Sequence, residues 1–417
     1  MKIKKYTVIK LAVYIILFLM AGYSCFYLFS IGGLTNNDYR LTCLIGFCLL
    51  SWLDKNKRYG ILAMSNGYRK YLPFTILSVV IIAFFTIIKY PLQSLQLTLR
   101  VVSQYLLIIW TVPVFYIMKK DDTEFKVLDV VCIISVVWCC LVLMQSIYYS
   151  YSGRALFSFI ERMGAGVREE NLRISVGPFV NFSIIYCFWR VYFWKIRHNI
   201  WYLISLIVLV LANIFVQQSR AGTIAIVLTM IAMILMETNN KYSIVKKGII
   251  ATGITLFAVV SDFIQNYILA VFTKYEISVT ARTYAYEYFW SIFKSNPVFG
   301  FGFVKSSSAY NSILHGPLNL AYTDDVGFVG QLAVLGSFSI IVMFGIYAIL
   351  LKQIIRIKKI TGCWDCLLIG VYVYLITSSF TLIIFDQQRI CLLPIIIALF
   401  EYRSSQCNSC EQYRNSH

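Results

Sequence analysis

Long apolar runs alternate with short polar connections along the whole chain, and this pattern predicts twelve membrane-spanning helices. The runs are Val8–Ser30, Leu41–Leu53, Tyr71–Ile88, Val101–Met118, Val127–Tyr149, Val176–Trp194, Ile200–Val216, Ala221–Met236, Gly248–Val260, Val326–Leu351, Cys366–Phe385 and Ile390–Phe400. Most reach about 17 to 25 residues, the length that crosses a hydrocarbon core. The second and last are short, and read either as extended by a few residues or as re-entrant. The runs are continuous, whereas a β-barrel would alternate apolar and polar positions. The predicted fold class is an all-α polytopic membrane protein, with residues 1–417 forming a single integral membrane domain. Two polar stretches interrupt it: a loop over residues 150–175, and a large loop over residues 261–325 between the ninth and tenth spans.

Composition agrees. The chain is 59% hydrophobic and 13% charged, against about 25% charged residues in soluble domains. The net charge of +18 raises nucleic acid as a partner, but its distribution points to membrane topology instead. With the amino terminus inside, 24 of the 37 basic residues fall in inner segments and 13 in outer ones. Four of those 13 lie in the large loop, where the positive-inside rule has little force, so the short loops compare as 24 to 9. Both termini are therefore expected in the cytoplasm and both polar loops outside. Val8–Ser30 is too long for the apolar core of a signal peptide and reads as a first span. Most of the twelve cysteines sit in apolar runs as small hydrophobes. Two C-x-x-C pairs, Cys363/Cys366 and Cys407/Cys410, fall near the cytoplasmic face; a shared zinc site would require them to meet in space.

Candidate chemistry gathers on the outer side. Gln217-Gln218-Ser219-Arg220-Ala221-Gly222 joins two spans so tightly that Arg220 must sit at the outer boundary, with Ser219 as helix N-cap. A helix start favours an anion, and an arginine fork matches phosphate oxygens; a snorkelling interfacial arginine is the plainer reading. In the large loop, Thr280 to Lys294 reads as a short helix capped by Thr280 and stopped at Asn296-Pro297, carrying Arg282, Tyr286 and Trp290. Its aromatic residues suit either a membrane interface or stacking on sugars. His315 is available as a general base. Thr323-Asp324-Asp325 either caps the next helix or supplies a carboxylate that takes a proton from a sugar hydroxyl. The 150–175 loop holds Arg154, Arg162, Arg168 and Arg173, against the positive-inside pattern; they read as a salt-bridged surface or as an anion-gathering patch.

These residues together resemble a known family. Ser219-Arg220-Ala221-Gly222 opening a span resembles the S-R-[TAG]-G motif of the O-antigen ligase and Wzy-type O-antigen polymerase superfamily. Arg282, Tyr286 and Trp290 followed by Asn296-Pro297-Val298-Phe299-Gly300-Phe301-Gly302 resemble its outer-loop signature. Asp325 to Gly336 is similar to the segment that closes that loop, and Arg173 with Gly177-Pro178-Phe179-Val180-Asn181 to the entry of an earlier span. The resemblance covers roughly 173–339 and implies a GT-C-like glycosyltransferase of the bacterial cytoplasmic membrane. Its donor would be an oligosaccharide on undecaprenyl pyrophosphate, with Arg220 and Arg282 holding the pyrophosphate. Arg154, Arg168 and Arg173 would help gather a second lipid-linked unit. Neither metal nor other cofactor is implied; a chain-length regulator and a flippase of the same pathway are the implied protein partners. Where family ligases place a catalytic histidine, this chain has Asp325, with His315 ten residues earlier. That favours the polymerase branch over the ligase and leaves Asp325, His315 and the adjacent Asp324 as candidate bases. A lipid-linked oligosaccharide flippase is the distant alternative; it predicts charged residues within the spans, and almost none occur.

Overall fold

The computed structural model describes residues 5–21, 60–237 and 276–415, apart from 155, 158–165, 169–170, 175, 194–199, 218, 306–308, 383, 387 and 388. The described chain is overwhelmingly helical. Its helices are α1 (Lys5–Ala21), α2 (Asn66–Lys89), α3 (Leu95–Asp121), α4 (Phe125–Ser152), α5 (Val180–Tyr192), α6 (Ile200–Gln217) and α7 (Arg220–Leu235). Then come α8 (Glu276–Ser295), α9 (Asn311–His315), α10 (Gly327–Leu335), α11 (Ile340–Thr361), α12 (Cys366–Ser379) and α13 (Leu393–Asn415). One antiparallel hairpin pairs Gly166–Arg168 with Asn171–Arg173 in the first polar loop.

Six helical stretches among the described residues are long and apolar enough to cross a membrane, and shorter apolar helices accompany them. Apolar side chains such as Phe74, Leu77, Phe84 and Ile88 on α2 and Ile204, Ile207 and Phe215 on α6 remain exposed at the bundle surface. Lipid is the solvent that makes such a surface favourable, so the chain is an integral membrane protein. The predicted spans Leu41–Leu53 and Gly248–Val260, and the end of Val8–Ser30 beyond Ala21, lie outside the described residues.

Segments assigned to one side by charge also meet in space. At one end, Lys10 pairs with Asp121 at 2.5 Å, and Arg403 bridges Asp365 at 2.5 Å and Glu124 at 3.2 Å. Also there, the carboxylate of Glu401 accepts from the Ser65 amide at 2.6 Å and from Gln353. At the other end, Lys89 reaches Asn296, Tyr286 reaches the Phe380 carbonyl, and the Ile174 amide donates to the Val216 carbonyl. All the residues of the first group lie in or beside predicted inner segments, and those of the second in or beside outer ones.

Three expectations need correction. Val326–Leu351 is not one helix: α10 stops at Gly336, whose φ is +57°, and α11 resumes after a 3-10 turn. The carbonyls freed by the break are not wasted. The amides of Phe301 and Gly302 donate to Ala333 O at 2.8 Å and Val334 O at 2.9 Å, and the Ser337 amide donates back to Pro297 O at 2.8 Å. Irregular backbone within a membrane protein survives where protein groups satisfy it, and the Asn296–Gly302 turn does this here. Second, the loop helix α8 begins by Glu276, so Thr280 lies inside it and does not cap it. Third, the last helix runs on past Phe400 to Asn415.

Candidate functional site

The end of the bundle that holds the turn into α7 also holds the acidic residues of the large loop. Ser219 caps α7 as the sequence predicts: its Oγ accepts from the Gly222 amide at 3.3 Å. Beside that first turn stands Asn181 of α5, whose amide donates to the Tyr374 hydroxyl of α12 at 2.8 Å. The backbone of Arg220 is thereby fixed at the head of α7, and α7 packs along α12.

Helix α8 crosses over α10. Phe289 and Ala285 face inward and are buried, while Arg282 and Trp290 are exposed. Tyr284 and Tyr288 turn instead to the loop beyond, where the Tyr288 hydroxyl donates to Ile313 O at 3.0 Å. Lys294 lies over the Trp290 ring at 5.7 Å. Tyr286 donates to the Phe380 carbonyl at the end of α12 and lies within electrostatic reach of both Arg282 and Asp325. Burial, the largest influence, raises the Tyr286 hydroxyl above its usual range; Arg282 opposes the rise and Asp325 adds to it.

Thr323, Asp324 and Asp325 form a single 3-10 turn ahead of α10. The helix-capping reading of these acids does not hold, because α10 starts from Val326 with no side-chain cap. Their carboxylates are left to do something else. Asp324 is exposed at the surface, though neighbouring protein atoms desolvate its carboxyl. That desolvation, followed by the negative charge of Asp386, pushes its carboxyl up to about 7. Arg389 and Lys305 oppose the rise, and Asp325 adds to it.

Lys305 is held by its backbone: its amide donates to Gln93 Oε1 at 2.9 Å, and Gln93 Nε2 donates to Phe303 O at 2.8 Å. Burial lowers its ammonium, and the neighbouring Arg100 lowers it further. Asp324 thus stands within electrostatic reach of two acids, Asp386 and Asp325, and two cations, Arg389 and Lys305, while Arg282 and Asp325 both stand within reach of Tyr286. Such a set can accept a proton at one carboxylate while holding a polyanion beside it.

The sequence candidates divide accordingly. Asp324, Asp325, Arg282 and Tyr286 come together, with Trp290 two turns of α8 further on from Arg282. His315 lies to one side, its Nδ1 3.1 Å from Ala321 O and its ring against Tyr322. Arg154 is exposed just after α4. For Arg168, Arg173 and Arg220 the backbone alone is described, and Arg162 lies outside the described residues. Sequence reasoning missed Asp386, Arg389, Lys305 and Arg100. The available signal was an acid and an arginine three residues apart in a short outer connection between two spans.

A cavity of about 350 Å³ lies at the opposite end of the bundle, beside Arg403, and both Cys363 and Cys407 line it. Among the described residues no group of three His, Cys, Asp or Glu side chains is arranged to hold a metal. A search of curated proteins finds no match to the chain. A family model described as O-antigen ligase matches residues 206–327, a segment that runs from α6 through Arg220 and Arg282 to the two acids.

Proposed function

We propose that the protein is a polysaccharide polymerase. It joins oligosaccharide units carried on undecaprenyl pyrophosphate, at the outer face of a bacterial cytoplasmic membrane, with both termini inside. The observation that carries this reading is the approach of Asp325 and Arg282 to Tyr286, with Asp324 on the same turn as Asp325, at the bundle end that also bears the head of α7. The O-antigen ligase match over the same segment supports glycan transfer as the reaction class.

In the proposed reaction a sugar hydroxyl of the acceptor unit attacks the anomeric carbon of the donor chain. Asp324 takes the hydroxyl proton as the new C–O bond forms. The bond from the anomeric carbon to the pyrophosphate oxygen breaks, and its electron pair leaves with undecaprenyl pyrophosphate. Arg220 and Arg282 meet the charge that develops there. Asp325 orients Arg282 and Tyr286, and the Trp290 face stacks on a donor sugar. Arg154, Arg168 and Arg173 draw in the second lipid-linked unit. Asp324 suits the base because a carboxyl that titrates near 7 is both ionised and basic enough at working pH.

A second reading, single transfer to a different acceptor glycan, is favoured by the ligase description of the matching family. Purified protein in liposomes with one lipid-linked repeat unit separates the two. A ladder of products on a gel supports the polymerase. A single transfer that appears only when an acceptor glycan is added supports the ligase. Absence of both overturns glycan transfer.

A further inference from the structure

At the bundle end that holds Arg403, several cations are already engaged. Lys10 and Lys126 pair with Asp121, and Arg403 pairs with Asp365 and Glu124. Lys119 bonds to Ser405, and Lys358 lies over the Trp364 ring at 3.8 Å. Lys70 of α2 and Lys352, Arg356 and Lys359 of α11 differ from these. All four are exposed, and none is in an ion pair among the described residues. The acid within reach of Arg356 is Glu401, which is buried and already accepts from the Ser65 amide, the Ser65 hydroxyl and Gln353.

The four cations gather because α2 and α11 pack antiparallel. Gln353 Nε2 donates to Ser65 Oγ at 3.4 Å, a Cβ on Gly67 would stand 3.8 Å from the Ile349 side chain, and the Tyr71 hydroxyl donates to Val342 O at 2.6 Å. A Cβ on Gly345 would need no addition to crowd this seam: it would stand 3.2 Å from the Tyr71 ring. Helical register then fixes what flanks the seam. On α2, Lys70, Phe74, Leu77 and Ile81 lie within about a quarter turn of it, and all are exposed. On α11, Ala348, Lys352, Arg356 and Lys359 lie within about a quarter turn of it, and these are exposed too. Both offsets have the same sense along their own helices, so in an antiparallel pair they open to the same side. One strip of the bundle surface therefore carries apolar side chains that end in cations. Gly67 and Ala348, with little or no side chain, leave a furrow between the two helices.

An exposed apolar flank at the bundle surface is favourable against acyl chains, whereas unmatched cations at its end call for an anion. Glu401 offsets at most one of the four charges. One molecule meets both demands. We propose that an anionic phospholipid from the leaflet at that end docks in the furrow between α2 and α11. Lys70, Lys352 and Arg356 hold its phosphate, with the arginine supplying a planar fork, and Lys359 adds attraction from further along α11. The long stems of these residues let their charges reach the headgroup level. An acyl chain lies along Phe74, Leu77 and Ile81.

The test uses purified full-length protein in detergent and needs no glycan substrate. Native mass spectrometry in an equal mixture of phosphatidylglycerol and phosphatidylcholine should show phosphatidylglycerol retained preferentially. Added phosphatidylglycerol should also raise the melting temperature more than phosphatidylcholine does. Each cation removed should weaken binding about fivefold, so the triple variant Lys70→Gln, Lys352→Gln and Arg356→Gln should lose about 10²-fold. Arg69→Gln with Lys120→Gln removes two exposed cations at the same end but off this strip, and should keep the preference. Gly67→Leu fills the furrow with every charge in place and should weaken retention as well; it decides the matter if the triple variant does not fold. Equal retention of the two lipids by the parent overturns the site. So does unchanged phosphatidylglycerol binding in the folded triple variant or in Gly67→Leu. A loss as large in the Arg69 and Lys120 variant would assign the preference to the general charge of that end and overturn a defined site. Inorganic phosphate that raises the melting temperature as much as the lipid would make this a free-anion site and overturn lipid docking.

Discussion

Gly300 rests directly on the carbonyl of Ala333: a Cβ at Gly300 would stand 2.2 Å from that oxygen and 2.7 Å from the carbonyl of Val334. Its φ is +61°, a conformation that L side chains rarely adopt. The neighbouring amides of Phe301 and Gly302 bond to these same carbonyls, so the glycine is what lets the Asn296–Gly302 turn dock on the break after α10. Gly300→Ala should therefore cost about 1–3 kcal/mol in backbone strain, with the collision added. A lowered melting temperature in detergent and a loss of glycan transfer are expected together. Normal stability would mean that the turn and the break are not coupled.

The pyrophosphate role of the two motif arginines predicts a specific kinetic pattern. Arg220→Ala and Arg282→Ala should each lower the transfer rate by about 10²-fold, because the charge they meet is greatest in the transition state. Polymer yield in liposomes at saturating donor is the readout. Retention of full yield and chain length by the double alanine variant would exclude the mechanism. Arg→Lys at either position should recover only part of the loss, since a lysine offers a point charge in place of a planar fork.

Where the sequence was legible, a local rule was at work. Continuous apolar runs marked α2, α3, α4, α6, α11 and α13, and a serine before an arginine-led apolar run marked the start of α7. The glycines near residue 300 marked a tight turn, though not what it touched. The break at Gly336 was hidden because hydropathy carries no information about backbone dihedrals: Val326–Leu351 is uncharged throughout and largely apolar, whichever way Gly336 turns. The Asp324–Asp325 turn looked like a cap because Thr and Asp before an apolar run usually are one. Its distinction from a cap lies in three-dimensional surroundings: Arg282 and Tyr286 of α8 on one side, Lys305 on another. Asp386 and Arg389 were hidden for the same reason, since only the docking of α12 on Gly327 brings them near residue 324.

The candidate bases can be separated by pH as well as by substitution. Asp324→Asn should reduce the rate by about 10²–10⁴-fold, the range of a lost general base. The parent rate should rise with pH through about 7, because Asp324 must lose its proton before it can accept one. Removing the opposing cations, by Lys305→Gln or Arg389→Gln, should move that rise to higher pH. His315→Ala should leave the pH dependence in place, since its ring is engaged with Ala321 O and Tyr322. A profile that loses its limb in His315→Ala and keeps it in Asp324→Asn would reverse the assignment.

The far end of the bundle makes the contrasting prediction, of stability without chemistry. Arg403 is 13% exposed, and its guanidinium holds Asp365 and Glu124 together, which ties the heads of α12 and α4 to α13. Asp365 also caps α12 by accepting from the Leu368 amide at 3.2 Å. Arg403→Met keeps much of the side-chain volume but leaves two poorly solvated carboxylates facing each other. Breaking such a pair from one side costs about 3–5 kcal/mol, most of it the penalty of the stranded charges. The melting temperature should fall accordingly. Replacing all three residues together, as Glu124→Gln, Asp365→Asn and Arg403→Met, should recover much of the loss, because no charge is then stranded and Asn can still cap α12. Transfer rate per folded molecule and its pH limb should be unchanged in both variants, since Arg403 lies at the end of the bundle opposite Asp324. A shifted limb in Arg403→Met would show instead that the two ends are coupled through α12 or α13.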